Sequence, residues 1–178
     1  MQIEQVTVEW TGGEGRIDRA IQAVDRTPYG PSRINHTLLA FKFRDGPHII
    51  SQSRFKKGVH LCAYSTLEDA KRRGVVTQHI VHELDVTPEE ADILWQEATW
   101  HYGPGYDNGQ ILCYLAWLKL RPHRPRPVFK RRNAVRTCNE HVQDTLVRVR
   151  PGLAERELTP TRLCWVLTGQ WPVREGGM

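Results

Sequence analysis

The stretch RINHTLLAFKFRDGPHIISQSRF, Arg33 to Phe55, decides the fold. Arg33 to Arg44 reads as a strand, Asp45-Gly46 as a tight turn, and His48 to Phe55 as the returning strand. The hairpin also sets which side chains can meet His36. If Arg44 and Pro47 flank a two-residue turn, the odd positions of the second strand share the face of His36, which favours Ser53 over its neighbours. A shift of one residue in the turn favours Gln52 instead. Ser51 occupies the same region.

Outward from the hairpin, more strands and a few helices follow. Gln5 to Trp10 alternates with Val6, Val8 and Trp10 on one face, and Gly58 to Tyr64 and Val75 to Asp85 read as further strands. Gly15 to Arg26 suits a short helix, with Ile17, Ala20, Ile21 and Val24 at helical spacing. Ser65 to Arg73 suits another. Thr87-Pro88-Glu89-Glu90 announces a helix: Thr caps, Pro fits the first position and Glu90 completes a capping box. Leu94, Trp95 and Ala98 continue its apolar face to about Tyr102. Asn108 to Leu120, Cys138 to Val149 and Pro160 to Leu167 read as the remaining helices. The pattern predicts an α+β fold, an antiparallel sheet flanked by helices.

With 178 residues the chain suits a single domain spanning 1–178, large enough to form a core without staples. The longest apolar run, Ile111 to Leu118, has eight residues, whereas a bilayer needs about twenty. The opening MQIEQVTVEW has neither a basic start nor an apolar stretch, so no classical signal peptide is expected and delivery would take another route. Cys62, Cys113, Cys138 and Cys164 form no C-x-x-C pair and read as reduced thiols. Cys113 and Cys164 fall in apolar helices as packing groups. His79-x-x-His82 on a strand aims its rings at opposite faces, so a metal site with Cys62 is not expected. Nothing calls for a cofactor.

Thr137-Cys138-Asn139-Glu140 carries the clearest chemistry. Thr137 and Glu140 make a capping box that places Cys138 at the first helical position. Unpaired N–H groups and the positive dipole end there favour a thiolate and can hold a developing oxyanion. A nucleophile needs a base, and among the eight histidines His36 is a candidate held in place by its strand, with His141 a less natural alternative only three residues from the thiol. Of Ser51, Gln52 and Ser53 in the returning strand, Gln52 is chemically the better partner for a histidine ring, because its amide oxygen can accept from a ring N–H and fix the tautomer.

Taken in order, Asn35-His36-Thr37-Leu38, Asp45-Gly46, Gly103-Pro104-Gly105-Tyr106-Asp107, Cys138-Asn139-Glu140 and Leu158-Thr159-Pro160-Thr161-Arg162-Leu163 resemble the circularly permuted branch of the NlpC-type peptidase superfamily. The resemblance implies a papain-like fold and a cysteine hydrolase that cleaves an amide bond, as in peptidoglycan, through a thioester. It implies Cys138 as nucleophile, His36 as base and Tyr106 as an active-site tyrosine. Two departures stand out: Asn139 follows the cysteine where a small hydroxyl residue is usual, and Ser51, Gln52 and Ser53 offer no carboxylate. Cys138-Asn139-Glu140-His141-Val142 also resembles lecithin:retinol acyltransferase relatives, which implies an acyltransferase or thioesterase using the same pair.

Arg121 to Arg136 (RPHRPRPVFKRRNAVR) holds seven Lys or Arg and no acid, more than the whole net charge of +5. Its prolines read as an extended loop. Arg121, Arg124, Arg126, Lys130, Arg131 and Arg132 suit an anionic polymer such as peptidoglycan or its attached polymers. The same loop suits a non-catalytic binding or structural protein, including a component of a phage particle with assembly partners there.

Overall fold

The structure, a computed structural model, describes residues 1–54, 57–100, 137–154 and 158–173. Tyr106, Cys113, the expected helix at 108–120 and the basic segment at 121–136 lie outside the described residues. The described chain is α+β. In order it forms β1 (Ile3–Gly12), α1 (Arg16–Val24), β2 (Arg26–Thr27), β3 (Gly30–Pro31), β4 (His36–Phe43), β5 (His48–Arg54), β6 (Gly58–Ala63), α2 (Ser65–Arg72), β7 (Gln78–Glu83) and α3 (Pro88–Trp100). After the undescribed stretch come α4 (Cys138–Val147), a 3-10 turn at Pro151–Leu153 and α5 (Pro160–Thr168).

Five strands make one antiparallel sheet in the order β6-β5-β4-β1-β7, and β2 and β3 form a small separate hairpin. Two strands, expected over Arg33 to Arg44 and Val75 to Asp85, begin later than the sequence predicts. Before β4, the Arg33 N–H donates to Pro172 O at 3.0 Å, not to a neighbouring strand. Before β7, the N–H groups of Val75 and Val76 turn back to Ala70 O and close α2. Thr87 and Glu90 cap α3 reciprocally, at 2.9 and 3.2 Å.

Alternation sorts the sheet into two unequal faces. Val6, Val8 and Trp10 of β1 and Leu39, Phe41 and Phe43 of β4 pack with Ala91, Leu94 and Ala98 of α3, Val142 and Leu146 of α4, and Leu163 and Cys164 of α5. The Trp95 ring stands edge-on to Phe41 and Phe43 with centroids 5.2 and 5.1 Å away, each such pair contributing about 0.5–1.5 kcal/mol beyond area burial. The opposite face holds a small cluster, Leu38, Ala40 and Ile50 under Leu67 of α2. Many of its other positions are polar, and Glu9, Thr11 and Gln52 are buried there beside His36.

Candidate active site

The turn decides the neighbour of His36. Arg44, Asp45 and Gly46 all lie outside the strands, with the Phe43 N–H reaching Pro47 O at 3.4 Å, so the connection is longer than two residues. The resulting register pairs Leu39 with Ser51 and Ala40 with Ile50. Even positions of β5 therefore share the His36 face, and Ser51 and Ser53 point the other way. Gln52 Oε1 lies 3.0 Å from His36 Nε2, while the Gln52 amide nitrogen reaches Cys62 Sγ at 3.1 Å and His60 Nε2 at 3.4 Å. With the amide oxygen toward the ring, His36 carries its proton on Nε2 and keeps the Nδ1 lone pair.

The approach to His36 is tightly held. Asn35 donates its backbone N–H to Thr11 O at 3.0 Å and its amide to Asp18 of α1 at 2.5 Å. At Gly12 the chains pass so closely that a Cβ would stand 2.0 Å from Arg33 O, which only glycine avoids. Burial, then the Arg54 charge, push His36 down from 6.5 to about 4; the Gln52 hydrogen bond opposes them and His60 adds to them. His36 is thus neutral at pH 7. It has an oriented lone pair but lacks a carboxylate to sustain the imidazolium.

Cys138 begins α4. Thr137 is extended, its Oγ1 accepts the Glu140 N–H at 3.3 Å, and Glu140 Oε2 accepts the Thr137 N–H at 2.8 Å. This is the reciprocal cap read from the sequence. The thiol is only 5% exposed. Three contacts fasten α4 to its surroundings. Thr37 Oγ1 donates to Asn139 Oδ1 at 3.4 Å, Asn139 donates to Leu158 O, and His141 Nε2 lies 2.8 Å from Ser51 Oγ. His141, the alternative base, is fully buried and engaged with Ser51.

The structure brings Gln52 to His36, and brings Cys138 to the same end of the sheet. Cys138 and His36 each sit one residue from the Asn139–Thr37 bond. However, Thr37 and Ser51 face α4, whereas His36 and Gln52 face the α2 side. Ser51 and Ser53, the other candidates for the third member, are on the α4 side of β5. Tyr106 lies outside the described residues.

Sequence reasoning missed the rest of the polar face. Cys62 and His60 become neighbours of Gln52 because β6 pairs Gln52 with His60 and Ile50 with Cys62. The alternation H-L-C, carried one strand further from Gln52, held that signal. Glu9 is also on this face and only 1% exposed. It accepts from Thr7 Oγ1 at 2.8 Å and Tyr64 Oη at 3.2 Å, and pairs with His79 Nε2 at 2.7 Å. Burial and the Glu9 charge push the Tyr64 hydroxyl up, so it stays a donor. Glu9 opposes Leu38, while His36 opposes Thr11, so the carboxylate stands one row away from the imidazole. His79 points to Glu9, and among the described residues no group of three metal-ligating side chains occurs. Among the described residues, Cys62, Cys138 and Cys164 form no disulfide.

No known family model matches this chain, and no curated protein matches it.

Proposed function

We propose that the protein is a cysteine hydrolase of amide bonds, with Cys138 as nucleophile and His36 as base. The observation that carries this reading is the pairing of His36 Nε2 with Gln52 Oε1 at 3.0 Å, on a strand whose next residue is bonded to the start of the Cys138 helix. A fixed tautomer presents one lone pair to take up the thiol proton. The thiolate would attack the carbonyl carbon, the amine would leave with that proton, and water would then cleave the thioester. N–H groups at the start of α4 suit the oxyanion. The papain-like fold of permuted NlpC-type relatives, an active-site role for Tyr106 and an anionic wall polymer held by Arg121, Arg124, Arg126, Lys130, Arg131 and Arg132 complete the proposal.

A second reading has one specific observation in its favour. Cys62 shares the face of His36 across β5 and β6 and contacts Gln52 directly. Both readings use His36, so single variants of the two cysteines separate them. Cys138→Ala and His36→Ala should each drop amide hydrolysis to background, and the double variant should be scarcely worse, because nucleophile and base act as a unit. Cys62→Ala should retain most of the activity. Loss of activity in Cys62→Ala with full activity in Cys138→Ala would transfer the role to Cys62.

A further inference from the structure

A second site lies on the other side of the sheet. Between β7, α5 and the segment after α5 is a cavity of ≈ 300 Å³ whose lining includes Arg33, His82, Cys164, Thr168, Gln170 and Trp171. That volume is at the lower end for small-molecule pockets, which run from about 300 to 1,000 Å³. No Asp or Glu is among the described lining residues.

Arg33 gives the cavity its chemistry. Its backbone is fastened on both sides, N–H to Pro172 O at 3.0 Å and carbonyl to Gln22 Nε2 at 3.2 Å. Its Nε is buried without a hydrogen-bond partner. Among the described residues the guanidinium makes no ion pair. A buried donor without an acceptor is costly, and an unpaired guanidinium lining a cavity is a binding group waiting for an anion. Burial pushes the Cys164 thiol up, with the Thr168 hydrogen bond and the Arg33 charge opposing it, which places that charge within reach of the cavity's inner wall. Trp171, stacked on Trp165 at 5.1 Å and 9° between planes, supplies a flat apolar wall.

We propose that this cavity binds a small carboxylate, its two oxygens on the Arg33 guanidinium and its body against Trp171. A planar fork matches a carboxylate's two oxygens and leaves an uncharged amide poorly held. The site is separate from the His36–Gln52 pair and does not depend on the hydrolase reading.

The test titrates the full chain with N-acetylglycine, with N-acetylglycinamide and with inorganic phosphate, reading the Arg33 Nε–H and Trp171 indole N–H signals by NMR. N-acetylglycine should shift both signals saturably in the millimolar range, and the amide should shift neither. Arg33→Gln should weaken binding at least tenfold, about 1.4 kcal/mol by the usual conversion. Arg33→Lys, which keeps the charge and is the safer variant for folding, should fall between. Equal response to acid and amide, no saturable response, or unchanged affinity in either Arg33 variant would overturn the proposal. Tighter binding of phosphate would overturn the carboxylate assignment.

Discussion

Replacing Gln52 by Glu puts a carboxylate where an amide oxygen now lies 3.0 Å from His36 Nε2. In the native protein burial and Arg54 hold His36 at about 4, against 6.5 for an ordinary histidine. The folded chain therefore declines a proton that the unfolded chain takes up. That stability is fully present above pH 6.5 and is lost as pH falls through 6.5 towards 4. The difference of about 2.5 units, at 1.36 kcal/mol each, makes the loss about 3 kcal/mol. His48 and His60, also pushed down mainly by burial, act in the same direction. An opposite charge at hydrogen-bond distance raises a histidine by roughly 1–3 units. In Gln52→Glu, His36 should thus titrate between about pH 5 and 7, and its share of the acid-side loss should shrink to about 2 kcal/mol or less. The assay follows the eight histidine Cε1–H signals against pH, with His36→Gln assigning the resonance, beside urea unfolding at pH 4.5, 5.5 and 7. A His36 that titrates near 6.5 in the native protein, or that does not move in Gln52→Glu, would refute the reasoning.

Two further outcomes follow from the contacts. Ser51→Ala removes the hydroxyl between His141 Nε2 and Ala98 O and should cost about 1–3 kcal/mol in urea unfolding, because it strands a fully buried imidazole nitrogen; a change within about 0.5 kcal/mol would mean that the bond adds nothing. Neutralising Arg131 and Arg132 should weaken binding to an anionic polymer and reduce its salt dependence without changing turnover of a small neutral amide; collapse of that turnover would place the basic segment in the active site.

How much of this was legible in the sequence depends on how local the signal was. Both Thr-x-x-Glu caps were readable, because a cap is decided within four residues, and they placed the starts of α3 and α4 to the residue. The sheet was readable from alternation. Which of Ser51, Gln52 and Ser53 meets His36 was not settled, because it turns on one residue in the Arg44–Gly46 connection and a slip of one exchanges the faces. Glu9 escaped because β1 is buried on both faces, so Val6, Val8 and Trp10 drew attention to one side of a strand whose other side buries a carboxylate. The polar face was legible only strand by strand. Its side chains come from β1, β4, β5, β6 and β7, and only the strand order joins them.

The central claim is that Cys138 is the reactive thiol, and its most direct measurement is competitive labelling. Native protein is treated with a limiting amount of iodoacetamide at pH 6, and each cysteine's modification is counted by peptide mass spectrometry. The account predicts that Cys138 is modified first despite its 5% exposure, since a helix start favours the thiolate, and that His36→Ala slows it. Labelling of the more exposed Cys62 ahead of Cys138, or equal labelling of all four cysteines, would contradict it.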